Sequence, residues 1–140
     1  LAYGMLTGNS GQVAAVNYND LDETVYSVAI SYAGITVDYR KNEAGNSGLI
    51  KNGTNGNDEG TSVCAEYGMA NMRVAACNIE SSHVDTSNFT NTRTKRTYAA
   101  DYALGGGVTI GAVYFDLEEV ANSTTRTDIE GIMTKLSVGF

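Results

Sequence analysis

An alternation of apolar and polar residues with period two returns along the whole chain, with no helical periodicity between its occurrences, and this limits the fold to strands. The closing stretch GIMTKLSVGF sets Ile132, Thr134, Leu136, Val138 and Phe140 on one side and Met133, Lys135, Ser137 and Gly139 on the other. That is the pattern of a strand with one face in an apolar environment. TVYSVAISY sets Tyr26, Val28, Ile30 and Tyr32 against Val25, Ser27, Ala29 and Ser31, and ITVDYR sets Ile35, Val37 and Tyr39 against Thr36, Asp38 and Arg40. SVCAEY, TYAADYAL and VTIGAVY repeat the motif. With weaker candidates at Gln12 to Tyr18, Asn71 to Glu80 and the opening LAYGML, the reading is about nine strands and an all-β fold. With 140 residues, it occupies a single domain over 1–140.

The connections carry as much information as the strands. TGNSG, AG, GMAN and GGG are short, NDLD is intermediate, and Lys41 to Gly60, Ser81 to Lys95 and Glu118 to Arg126 are long. Tight turns at one end and long polar loops at the other describe an antiparallel up-and-down sheet with two unlike ends, which suits a membrane barrel as well as a soluble one. No window approaches the roughly 18 apolar residues of a membrane-spanning helix. A barrel strand needs only about ten residues of alternating polarity.

Tyrosine favours the membrane. All nine tyrosines share the apolar parity, and most stand near strand ends, as Tyr26 and Tyr32 do. Rings at the margins of an aliphatic band form the interfacial girdle of a lipid-facing surface. Small residues on the same parity, Ala65, Ala76, Ala100 and Ala112, fill a close-packed core poorly and are tolerated against lipid. On this reading the opposite parity faces a lumen, and its charges, Asp38, Arg40, Glu66, Arg73, Asp101 and Lys135, line the pore. A soluble β-sandwich, in which that face meets bulk water, is the competing architecture.

The cysteines test the register. If YGMANM turns at Ala70 and Asn71, residues whose numbers sum to 141 stand opposite one another, and Cys64 meets Cys77 on the polar face. A cross-strand disulfide is then within reach and an oxidising compartment would permit it; two free thiols in one hairpin is the other reading.

Other chemistry is thin. A net charge of −7 and a pI near 4.5 argue against a nucleic-acid partner. Arg93, Lys95 and Arg96, interleaved with threonine, read as a solvated loop end. The two cysteines and the single His83 make no metal site, and no cofactor motif is present. Ser81, Ser82, His83 and Asp85 lie close in a polar loop without the framework of a catalytic triad, GGG lacks the context of a phosphate cradle, and no enzyme is expected. Asn52, Asn88 and Asn122 each begin an Asn-X-Thr triplet, incidental in a bacterial surface loop and a glycosylation acceptor in a eukaryotic secreted protein. Acidic clusters at Asp20, Asp22 and Glu23 and at Glu118 and Glu119 would attract cations at a channel mouth or bind divalent ions that bridge to lipopolysaccharide.

The terminal GIMTKLSVGF resembles the C-terminal strand of Gram-negative outer-membrane barrels, and with YALGGGVTIGAVYFDLEE it is similar to the closing hairpin of general porins of the alphaproteobacterial type. The likeness covers the last 45 or so residues and, beyond them, only the rhythm of strands and loops. It implies a homotrimeric, water-filled channel of sixteen strands in the outer membrane, open to passive diffusion of ions and small hydrophilic solutes, surrounded by lipid and lipopolysaccharide. It also implies that Phe140 is read by the barrel-assembly machinery. With nine strands, LAYGML runs toward the periplasm as the last strand does, in the place of the eighth of sixteen, so the chain is expected to be the C-terminal half of a porin. A chain that starts at Leu1 without an initiator Met is expected either to have lost a signal peptide or to continue a longer one. Were it complete, eight strands would close into a small barrel without an open channel, serving as an anchor or adhesin. Replacing Phe140 with Ala should lower the share of the protein recovered folded in outer-membrane fractions; undiminished insertion would remove the assembly role from that residue.

Overall fold

A computed structural model describes residues 2–8, 18–45, 58–84, 89–122 and 124–139. They form eight strands: β1 (Ala2–Gly8), β2 (Leu21–Tyr32), β3 (Ile35–Gly45), β4 (Asp58–Met69), β5 (Met72–Val84), β6 (Thr90–Gly105), β7 (Val108–Ala121) and β8 (Thr125–Val138). All eight lie in one antiparallel sheet, in sequence order, each bonded to its neighbours along the chain. The expected all-β, up-and-down architecture is therefore present, and no helix occurs among the described residues.

Among the described residues the strands number eight rather than nine. Gln12 to Asn17 lie outside the described residues, Tyr18 forms an isolated bridge, and β1 pairs directly with β2, Gly4 opposite Val25 and Thr7 opposite Asp22. The direction of the first strand changes with the count. In an antiparallel sheet of eight, β1 runs opposite to β8, so LAYGML rises toward the loop end where the nine-strand reading had it descend.

The ends differ as the sequence suggests. At one, two-residue turns at Ala33–Gly34, Ala70–Asn71 and Gly106–Gly107 join β2 to β3, β4 to β5 and β6 to β7. The turns dock on adjoining strands: Gly68 donates its N–H to the Gly34 carbonyl at 2.9 Å, and Gly139 to the Gly107 carbonyl at 2.8 Å. Gly34 has φ +82°, and a Cβ there would come within 2.7 Å of the Gly68 carbonyl oxygen, so the position requires glycine on both counts. At the other end lie the connections 9–20, 46–57, 85–89 and 122–124.

Two of those connections are shorter than the sequence suggests. β5 continues to Val84 and β6 begins at Thr90, so His83, Arg93, Lys95 and Arg96 are strand residues; β7 continues through Glu118 and Glu119 to Ala121. Both stretches are polar on both faces, and once neither face is buried the alternation that marks a strand fades while the hydrogen-bond ladder continues. β6, with 16 residues, is roughly 50 Å long at about 3.3 Å per residue, well beyond the need of a bilayer crossing.

Each strand touches only the strands beside it, so the sheet is one layer, and no hydrophobic side chain is buried among the described residues. A sandwich needs a second packed sheet, and none is present among the described residues. Cys64 stands opposite Cys77, as the turn arithmetic requires, with Cα atoms 4.1 Å apart, and the pair forms a disulfide. The unreduced protein should therefore take up no thiol-alkylating reagent even when unfolded, and two equivalents per chain after reduction, read from the intact mass; labelling before reduction would show free thiols. Replacing either cysteine by Ser should cost about 2 kcal/mol of unfolding free energy.

Candidate functional site: a charged wall opposite a tyrosine-edged apolar band

The register sorts the side chains onto two faces. On the tyrosine face lie Tyr26, Val28, Ile30 and Tyr32 of β2, Ile35, Val37 and Tyr39 of β3, and Val63, Ala65 and Tyr67 of β4. Met72, Val74 and Ala76 of β5, Tyr98, Ala100 and Tyr102 of β6, Ile110, Ala112 and Tyr114 of β7, and Ile132, Thr134 and Leu136 of β8 continue it. Thr134 is the one aliphatic hydroxyl in this band. Its large members are exposed: Ile30 by 67%, Ile132 by 72% and Leu136 by 67%. Such a continuous exposed apolar surface marks contact with lipid or protein.

Toward the loop end the same face changes character within one row. Above Tyr39 come Lys41 and Glu43; above Val63, Thr61 and Glu59; above Ala76, Asn78 and Glu80; above Tyr98, Arg96; above Tyr114, Asp116 and Glu118; above Ile132, Glu130 and Asp128. Tyrosine marks the change: Tyr98 and Tyr114 are opposite one another, ring centroids 6.2 Å apart, and Tyr114 donates its hydroxyl to Glu130 at 2.9 Å. The Tyr114 ring thus stacks against Tyr98 at the edge of the aliphatic band while its hydroxyl reaches a charged neighbour. The charges beyond are paired, Arg96 with Asp116 at 3.0 Å and Arg126 with Asp128 at 3.0 Å and Glu118 at 3.6 Å, with Lys41 against Glu43. Tyr32, Tyr67 and Tyr102 mark the lower margin.

The opposite face carries the disulfide and all six charges singled out from the sequence. Four form one chain: Glu66 Oε2 accepts from Arg73 Nη2 at 2.5 Å, Asp101 Oδ2 from Arg73 Nη1 at 3.4 Å, and Asp101 Oδ1 from Lys135 Nζ at 2.9 Å. The chain spans β4 to β8. Asp38 and Arg40 form no ion pair among the described residues and stand nearer the disulfide, Asp38 opposite Cys64 and Arg40 opposite Ser62. A second tier at the loop end was not anticipated: Arg93 pairs with Glu119 at 3.0 Å and His83 Nδ1 contacts Asp58. These pairs sit in residues read as loop from the sequence, where cross-strand partners cannot be seen. They border a concavity of about 600 Å³ that Asn42, Ser81 and Asn91 also line.

Between the tiers the wall is apolar on β7 and β8, where Val113 opposes Met133 and Leu117 opposes Ile129, with the Phe115 ring over Gly131. Met133 has the polar parity of its strand, and only the register shows that it joins an apolar cluster. Among the described residues no group of three or more His, Cys, Asp or Glu is placed to hold a metal ion. Phe140, Asp85, Asn52 and Asn88 lie outside the described residues.

The faces differ in net charge. The cysteine face is nearly balanced, Glu23, Asp38, Asp58, Glu66, Asp101 and Glu119 against Arg40, Arg73, Arg93, Lys95 and Lys135; the acidic excess lies on the tyrosine face beyond its apolar band. Glu118 and Glu119, which the sequence groups as one acidic cluster, point to opposite faces, and Glu119 is committed to Arg93.

Among known proteins, no family model, no curated protein and no solved structure matches this chain.

A Cβ on Gly131 would lie 2.7 Å from Phe115 Cζ. Gly131→Val should therefore destabilise the folded protein by about 1–3 kcal/mol, seen as a lower urea midpoint in detergent, and Phe115→Ala in the same chain should recover part of the loss.

Proposed function

We propose that this sheet is part of the wall of an outer-membrane porin, a non-enzymatic channel for passive diffusion of ions and small hydrophilic solutes. The observation that carries the reading is the change on the tyrosine face from aliphatic to charged within one row, with tyrosines at both margins. From Tyr26 to Tyr32, Val108 to Tyr114 or Ile132 to Val138 the band is seven residues long, roughly 20 Å along the strand at about 3.3 Å per residue. A strand tilt of about 40° makes that roughly 15 Å of height, the larger part of the lipid-facing belt of a bacterial barrel, about 25 Å tall. A bilayer forbids unpaired backbone groups, which antiparallel pairing satisfies between strands.

Closure sets a further condition. The outer strands β1 and β8 run in opposite directions, so an even number of added strands continues the antiparallel order all the way round. Eight more give a sixteen-stranded barrel in which β1 is the ninth strand. The face with the cysteines and the charge tiers then borders water, and its ionic groups bias which solutes enter. The acidic region beyond the band meets the lipopolysaccharide layer. Assembly as a homotrimer and recognition of Phe140 by the barrel-assembly machinery belong to the same proposal.

The opposed edges equally satisfy closure of β8 on β1, which favours one alternative: an eight-stranded barrel filled by its own side chains, acting as an anchor or adhesin. Conductance separates the two. The native protein, purified in detergent and added to a planar bilayer, should open steady, ohmic channels in groups of three; insertion with no current would overturn the porin reading in favour of the anchor.

A further inference from the structure

We propose that Gly111 is a positioning residue that sets ion preference, because its bare Cα lets Asp101 neutralise Lys135 across the strand between them; the inference rests on the porin reading. Asp101, Gly111 and Lys135 form one cross-strand row, on β6, β7 and β8. Two strand spacings of about 4.8 Å separate the outer two residues, and anything at position 111 would stand in the gap. Asp101 reaches over it: Oδ1 meets Lys135 Nζ at 2.9 Å, while Oδ2 stays 3.4 Å from Arg73 Nη1. A Cβ on Gly111 would collide with that Oδ1 and come within 3.2 Å of the Ala100 carbonyl oxygen. Asp101 would have to turn away, and the Ala100 carbonyl leaves the new group little room to shift instead.

A glycine within a strand weakens it and commonly marks a close approach. Gly60 lies beneath Asn42 and Gly131 beneath Phe115, in each case covered by a residue on the neighbouring strand. At Gly111 the covering side chain continues to a third strand and ends on a charge.

The electrostatic effect follows from the count. Glu66, Arg73, Asp101 and Lys135 are two acids and two bases in contact, neutral as a group. The side chain of Asp101 is 18% exposed, against 56% for Lys135. With Asp101 turned away, Arg73 still has Glu66 at 2.5 Å, whereas Lys135 loses the one ion-pair partner it has among the described residues. A free ammonium on a wall otherwise near neutrality attracts anions, and in a narrow low-dielectric pore one charge shifts entry by about two-fold or more.

The test uses the full chain in detergent, as Gly111→Ala and the bulkier Gly111→Val, with folding checked by the heat-dependent shift in gel mobility. Two quantities are read: acylation of Lys135 by an amine-reactive ester relative to Lys95, and the bilayer reversal potential in a potassium chloride gradient. Both variants should raise Lys135 acylation and move the reversal potential toward that of chloride. Asp101→Asn, which leaves the glycine in place, should do the same, and Lys135→Met in the Gly111→Ala background should abolish the shift. Unchanged acylation in a folded variant would overturn the positioning role, and raised acylation with an unchanged reversal potential would overturn its link to selectivity. If the parent protein carries no current, the porin reading falls and the selectivity claim with it, while acylation still decides whether Gly111 positions Asp101.

Discussion

Everything in this structure depends on the sideways hydrogen bonding of one sheet. A globular domain holds its sheets by burying one face against another layer, and here no second layer exists among the described residues. The ladder satisfies backbone groups within the plane and leaves both faces to the surroundings. The side chains are sorted between the two faces, apolar and tyrosine-edged on one and charged on the other. In water alone its tyrosine face would be an aggregation surface.

That dependence explains where the sequence is easy to read. Where one face is apolar and the other polar, between Tyr26 and Tyr39 or Tyr98 and Tyr114, alternation is strong, and strand, face and the Cys64–Cys77 pairing all follow from it. Farther along the same strands Thr90 to Arg96 or Glu118 to Glu130 present mostly polar residues on either side. The pairing continues, Thr94 opposite Glu118 and Glu118 opposite Asp128, but no periodicity reports it.

The charged wall was legible in membership and hidden in connection. Parity suffices to put Asp38, Arg40, Glu66, Arg73, Asp101 and Lys135 on one face. Which of them touch depends on register across four strand pairings and on a glycine whose role lies in what it omits. Arg73 and Asp101 are neighbours because of the β5–β6 register; Asp101 and Lys135 are joined only because position 111 has no side chain. Single-sequence reasoning recovers the first kind of relation when turns are short, and has no purchase on the second.

The distribution of charge bears on what such a wall can do. A net charge of −7 suggests a cation-attracting surface, but the excess acid lies on the tyrosine face beyond the apolar band, and the opposite face is close to neutral. A lumen bordered by that face would be screened from the exterior acids by the sheet and by any water layer thicker than the screening length, about 8 Å at physiological salt. Preference among ions would then follow from the few groups that escape local pairing. Glu23, Asp38, Arg40 and Lys95 form no ion pair among the described residues, two acids and two bases. A chain acidic as a whole can in this way present one face close to neutral, because the fold assigns charge to surfaces and the total does not.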